Sequence, residues 1–253
     1  MAKDSCSSFS CYRAYSNVHI VCKGLNKRMT ISIAIDGPAA AGKSTVAKIV
    51  AKKLGFTYID TGAMYRAFTH AVIKANLDPK NEQESCSIIK DVKIDLLENG
   101  KVICNGEDVT APIREPLVSS NVSYIASYKD IRLALVEMQR KMAESKSVVM
   151  DGRDIGTYVL PNADVKIYQI ASVETRAKRR YDENVEKGIP TSYEDVVNDV
   201  KKRDYIDSHR DFAPLREAED AIVLDTSHLN IEQVVDAILK IVEDKTGVSE
   251  KCH

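Results

Sequence analysis

Residues 36–45 read DGPAAAGKST, and the spacing Gly37-x-x-x-x-Gly42-Lys43-Ser44 is a complete phosphate-binding loop signature. Its surroundings narrow the fold further. The β-branched run Ile31–Ile35 precedes it. An amphipathic pattern over Lys43–Leu54 follows, with Val46, Ile49, Val50 and Leu54 on one face. Strand, glycine-bearing turn and helix, in that order, let main-chain N–H groups turn inward around phosphate oxygens. The helix N-terminus adds a partial positive charge of about half an elementary unit. The loop residues Gly37, Pro38, Ala39, Ala40, Ala41, Gly42 and Thr45 are therefore expected around the phosphates of ATP, with Lys43 bridging the β- and γ-phosphates. Ser44 is expected to offer an oxygen to Mg2+.

The rest of the chain repeats the strand and helix alternation. Phe56–Ile59, Ser147–Met150, Val165–Ile170 and Ala221–Leu224 have the length and apolar content of buried parallel strands. Ile131–Ser145 carries Ile131, Leu135, Met138 and Met142 on one helical face, with Asp130 as the expected N-cap. Ile231, Val234, Val235, Ile238 and Val242 form another stripe behind Asn230. The expected fold is α/β, a doubly wound five-stranded parallel sheet. One stretch breaks the rhythm: Val92, Ile94 and Leu96 alternate with Lys93 and Asp95, and Asn99-Gly100 and Asn105-Gly106 supply hairpin turns. A small antiparallel β insertion over about 88–113 is expected there.

Composition bounds what this domain can do. With 253 residues at 44% hydrophobic content, one compact domain with an insertion suffices. Lys+Arg 36 against Asp+Glu 37 leaves a net charge of -1, so an anion site must come from local clusters and not from the whole surface. The six cysteines form no C-x-x-C pair, which reads as isolated reduced thiols and a reducing cytoplasm. No run reaches roughly 18 consecutive apolar residues, so no membrane-spanning helix is expected. Residues 1–28 lack strand or helix periodicity and hold half of the cysteines. They read as a disordered extension, either upstream sequence or a mistaken start site, ahead of one phosphate-loop domain over 29–246 and a tail over 247–253.

Four further segments carry candidate chemistry. DTGAMYR (60–66) follows the second strand, where ligands of doubly wound sheets sit. Thr61 can cap the next helix and donate to a phosphate, Tyr65 can stack on or beside a base, and Arg66 can fork onto the phosphate. VVMDGRDIG (148–156) ends an apolar strand in Asp151, the metal-side candidate, with Arg153 and Asp154 on the loop beyond. SVETRAKRRY (172–181) puts Arg176, Arg179 and Arg180 on one face behind the Ser172 cap, either as a solvated row or as a lid facing a triphosphate. Thr191-Ser192-Tyr193-Glu194 has a capping-box pattern, and Arg203, Asp207 and Arg210 follow at spacings of four and three, as a ligand site or as a surface ion-pair ladder. No N-K-x-D motif follows the loop, which argues against a GTPase.

Taken together, IAIDGPAAAGKSTVA, YIDTGAMYRA, VVMDGRDIGT, ETRAKRR and KKRDYIDSHRDFAPL resemble the bacterial-type (type I) cytidylate kinases, from about Met29 to Val242. The resemblance implies a P-loop kinase with a monophosphate-binding insertion and a helical lid over about 172–190. It implies transfer of the γ-phosphoryl group of MgATP to CMP or dCMP. It assigns Thr61, Tyr65, Arg66, Ser123, Arg132, Arg153, Asp154, Arg203, Asp207 and Arg210 to the acceptor, with Arg132 on its phosphate, and Arg176 and Arg180 to a lid closing on ATP. Lys43, Arg153, Arg176 and Arg180 are then the expected catalytic cations, and Ser44 and Asp151 the expected metal side. A cytoplasmic monomer acting on small nucleotides, with no nucleic-acid polymer and no membrane, is the expected whole. Two rivals stay open: a kinase for UMP or for an alcohol, which would need a base to take the alcohol's proton, and a nucleotide-sensing or nucleic-acid-binding module, marked by steep salt dependence.

Overall fold

The computed structural model describes residues 30–97 and 100–250. The expected extension 1–28, Asn99 of the first expected turn and residues 251–253 of the tail lie outside the described residues. The chain begins with β1 (Ser32–Asp36), α1 (Lys43–Leu54), β2 (Thr57–Asp60) and α2 (Thr61–Lys74). A short helix α3 (Glu82–Ser87) leads to the strands β3 (Ile94–Leu96), β4 (Val102–Cys104) and β5 (Glu107–Asp108). Helices α4 (Pro116–Ile125) and α5 (Lys129–Ala143) follow, then β6 (Val148–Gly152) and β7 (Val165–Ile170). Helices α6 (Val173–Glu186) and α7 (Tyr193–His209) precede the final β8 (Ile222–Asp225) and α8 (Ile231–Thr246).

Strands β2, β6, β1, β7 and β8 pair in that order, all in parallel. The chain leaves β1 to one side and later returns to its other side, so the crossover direction reverses at β1. The carboxyl end of β1 is where a doubly wound sheet opens a crevice. Ile33, Ile35 and Val149 pack with α1 and α8 on one face, while Ala34, Val148 and Met150 pack with Val136 of α5 on the other. Alternation along each strand therefore feeds two apolar layers.

Four of the five sheet strands run one or two residues past their expected apolar ends, into Asp36, Asp60, Gly152 and Asp225. Ladder pairing does not stop where apolarity stops: Asp36 pairs with Gly152 and Tyr168, and Asp60 with Asp151. The expectation of fully buried strands fails at both edges. Val223 of β8 is 46% exposed, and only Ile59 of β2 is buried, because an edge strand is covered on fewer sides. Ile231 is likewise exposed, since it opens α8 beyond the sheet's end.

The expected insertion forms a separate three-stranded antiparallel sheet, β3-β4-β5. Asn105 and Gly106 both take positive φ, 50° and 84°, as a tight primed turn requires. Asn105 also accepts the Lys93 N–H through its side chain, which pins the register. Val92, Ile94, Val102 and Cys104 bury one face of this sheet against Ala63, Phe68 and other residues of α2.

Three helix starts differ from expectation by one or two residues. Asp60, not Thr61, caps α2, accepting the Ala63 N–H at 2.7 Å. Ser192, not Thr191, caps α7, because its hydroxyl is the one within reach of the third N–H, that of Asp195. Helix α5 starts before Asp130, which lies in the first turn and favours the helix dipole without capping. Helices α3 and α4 are additional. Asn81 with Glu84, and Pro116 at the first position of α4, are their local signals.

Candidate active site

The phosphate loop runs from the end of β1 to the start of α1, and its shape is set by glycines at two positions. Gly37 has φ 149°, and a Cβ there would sit 2.0 Å from the Gln169 carbonyl oxygen of β7. Gly42 caps α1 at φ 87°. Between them Ala40 takes φ 58°, a left-handed conformation that a residue with a Cβ adopts at a cost of about 1–2 kcal/mol. For the loop's N–H groups to point inward, its carbonyls must point out and find donors. Lys43 Nζ donates to the Pro38 carbonyl at 2.7 Å, Arg176 to that of Ala39 at 3.1 Å, and Gln169 and Arg179 to that of Ala41 at 2.6 and 3.2 Å.

Beneath the loop, two carboxylates stand on adjacent strands. Asp151 accepts from Ser44 Oγ at 2.7 Å and from Tyr58 Oη at 2.8 Å. Burial, and then the charge of Asp60, push its carboxyl up to about 6. Asp36 accepts the N–H groups of Ile155 and Gly156 at 2.8 and 2.7 Å, and burial pushes it up to about 7. Lys43 is buried beside them. Desolvation, with the Arg153 charge second, brings its ammonium down to about 7. In all three, enclosure disfavours the charged form of the side chain. Among the described residues no group of three or more His, Cys, Asp or Glu could hold a metal. Ser44 and Asp151 form a two-oxygen edge only, which suits a hard cation that takes its other ligands from phosphate and water.

The second half of the cleft is assembled from side chains on separate elements. Asp154 sits at its centre. Arg132 of α5 and Arg210, just past α7, both ion-pair with it, the latter at 3.2 Å. Asp207 of α7 holds Arg153 at 2.8 Å. Arg132 also donates to the Ala126 carbonyl at 2.9 Å and lies over the Tyr65 ring, 5.3 Å from its centroid. Arg203 donates to the Ser119 carbonyl at 2.7 Å, and Arg66 stands 3.6 Å from Asp60. The Thr61 hydroxyl is turned to the Asp151 carbonyl at 2.7 Å, so it is not free to donate elsewhere in this arrangement.

Three buried donors here have no partner among the described residues: Tyr65 Oη, Arg66 Nε and Arg132 Nε. An unpaired buried polar group costs about 1–3 kcal/mol. Three of them on adjoining residues mark a place for an acceptor-rich ligand.

One cleft of about 1340 Å³ joins the two halves. Its walls include Ala39, Ala40, Ala41, Gly42, Lys43, Ser44 and Thr45 of the loop, and Asp151 below it. They also include Thr61, Tyr65, Arg66, Ser123, Arg132, Arg153, Asp154, Arg180, Arg203, Asp207 and Arg210. Of the expected site residues, Gly37, Pro38 and Arg176 do not line it. Arg176 is buried behind the loop, its Nη1 on Asp204 at 2.6 Å. Residues not singled out in the sequence also matter here: Asp36, Tyr58, Gln169, Asp204 and Arg114, the last on the insertion side of the cleft. Asp36 had a local signal, since it ends an apolar strand as Asp151 does. Asp204 had none, because its partner Ala39 is 165 residues away.

A family model described as cytidylate kinase matches residues 33–244. The chain is 52% identical over 219 residues to the cytidylate kinase of Bacillus subtilis (strain 168), covering 85% of this chain and 98% of the relative. It is 52% identical over 223 residues to that of Geobacillus sp. (strain WCH70), covering 87% and 100%. It is 54% identical over 212 residues to that of Oceanobacillus iheyensis (strain DSM 14371 / CIP 107618 / JCM 11309 / KCTC 3954 / HTE831), covering 83% and 92%.

Proposed function

The chain belongs to the cytidylate kinase family and phosphorylates CMP or dCMP with ATP, and from that premise we propose how its cleft performs the reaction. ATP lies with its phosphates in the loop Gly37–Thr45, and the monophosphate lies among Thr61, Tyr65, Arg66, Ser123, Arg132, Arg153, Asp154, Arg203, Asp207 and Arg210. A phosphate oxygen of CMP attacks the γ-phosphorus in line. The new P–O bond forms as the bond to the β–γ bridging oxygen breaks, and ADP leaves with that electron pair. The attacking oxygen is already anionic at neutral pH, so no general base is required.

What the protein supplies is alignment and positive charge on the moving group. Lys43, Arg153 and Arg180 line the cleft and carry that charge. Ser44 and Asp151 would hold Mg2+, which when bound neutralises phosphate charge. Asp154 and Asp207, each already engaged by arginine, orient those guanidinium groups and discriminate among acceptors. The lid, about 172–190, closes over the donor and limits ATP hydrolysis by water. The protein works as a monomer in the cytoplasm. Among the described residues no helix is long and apolar enough to cross a membrane.

The observation that carries this reading is the single cleft with a phosphate loop on one wall and unpaired buried donors on the other. A coupled assay across CMP, dCMP, UMP, AMP and shikimate tests it. Turnover with CMP or dCMP well above the others is expected; equal or better rates with UMP, or preference for the alcohol, would overturn it.

A further inference from the structure

Arg176 is the one expected catalytic cation that does not line the cleft. It is 4% exposed, and its Nε and Nη1 are both engaged. Nε donates to the Ala171 carbonyl at 2.9 Å, and Nη1 donates to the Ala39 carbonyl at 3.1 Å and to Asp204 Oδ2 at 2.6 Å. Asp204 Oδ1 in turn accepts the Ala39 N–H at 3.2 Å. Both main-chain polar groups of Ala39 are thus held by a closed ring of hydrogen bonds to α6 and α7. The neighbouring Ala40, with its left-handed backbone, packs into the small apolar cluster of Ala177, Val196 and Val200 between the same two helices. A strained residue persists where its surroundings over-determine it, and these contacts do so.

Helix α7 does not end its work there. Arg203 lies beside Asp204, and Asp207 and Arg210 follow within two turns. Asp207 holds Arg153, and Arg210 holds Asp154. One helix therefore grips the donor loop at Asp204 and the acceptor half at Asp207 and Arg210. A buried ion pair contributes little net stability, because desolvation offsets its attraction. Position is what this one supplies.

We propose that Arg176 and Asp204 are a positioning pair, not phosphate contacts, which ties the Ala39 peptide to α7 and so makes ATP and CMP binding depend on one another. The proposal rests on the reading of the cleft as a joint site for both nucleotides. Its test is the affinity for CMP with and without a saturating non-hydrolysable ATP analogue, by titration calorimetry. The proteins compared are the wild type, Asp204→Asn, Arg176→Lys and the double variant. Asp204→Asn keeps shape but loses the charge facing Arg176, and Arg176→Lys keeps charge but loses the fork.

In the wild type the analogue is expected to tighten CMP binding about fivefold or more, the usual scale of coupling between sites. Either single variant should bring that ratio close to one while CMP alone binds nearly as before. The double variant should be no worse than either single, because the pair acts as a unit. A variant with a lowered Tm but an intact ratio would make the pair merely structural and overturn the proposal. An uncoupled wild type would overturn it as well. A wild type that binds the analogue but no CMP would sink the joint-site reading itself, a different failure from an intact ratio in the variants.

Discussion

The two halves of the cleft bind the same chemical group by different means. The donor half is made of consecutive residues, 37–45, and works chiefly through main-chain geometry. Three of its residues, Ala39–Ala41, carry only methyl side chains, and the surrounding cations and amides satisfy its outward carbonyls. The acceptor half is made of single side chains from α2, α4, α5, the loop after β6, and α7. It works through arginine–carboxylate pairs that span those elements. A backbone site is specific for phosphate and indifferent to what the phosphate is attached to. A side-chain site can be read by shape and hydrogen bonding, and so it is where substrate choice resides. A kinase needs both, since its donor and acceptor carry the same group on different bodies.

This contrast can be broken from the donor side first. Gly37→Ala puts a methyl group against the β7 carbonyl, where only 2.0 Å is available. Overpacking of this kind costs about 1–3 kcal/mol, so a lowered urea midpoint is expected together with a loss of ATP affinity of about tenfold or more. CMP affinity should change far less, because no acceptor side chain is touched. Equal losses for both nucleotides would show that the halves are not separately built. The acceptor side should give a smaller, opposite pattern. Ser123→Ala removes one neutral hydroxyl, worth about 0.5–1.5 kcal/mol. A several-fold rise in KM for CMP is expected, with KM for ATP and the urea midpoint unmoved.

Legibility in the sequence follows the same division. The phosphate loop, the strand before it and the helix after it could be read at once, because their signal is local and contiguous. Five sheet strands were also readable from periodicity to within one or two residues, and the small antiparallel insertion was readable from its alternation and Asn-Gly turns, though its strands span 94–108 and not the whole of 88–113. The acceptor half was readable only in part: Thr61, Tyr65, Arg66, Arg153 and Asp154 stood out by their place after apolar strands. Arg203, Asp207 and Arg210 also fit a surface ladder, and Arg132 is an unremarkable helix position until Asp154 meets it across the fold. Ser123 and Arg132 came into view only through the family resemblance. Arg176 illustrates the limit from the other direction. Its helical face was legible, but a row of arginines does not reveal which member turns to the ligand and which is buried behind the loop, and the partner that decides it, Asp204, is on another helix.

The claim on which the rest depends is that the loop and the arginine cluster present their ligands to each other within one cleft. Binding of adenosine and cytidine joined 5′ to 5′ through a polyphosphate, measured by titration calorimetry against ATP and CMP separately, tests it most directly. Tethering replaces the second binding event by an intramolecular one, so the joined compound is expected to bind at least about a hundredfold more tightly than either nucleotide. Binding no tighter than that of ATP alone would contradict the claim, because it would mean that the two phosphate sites do not meet.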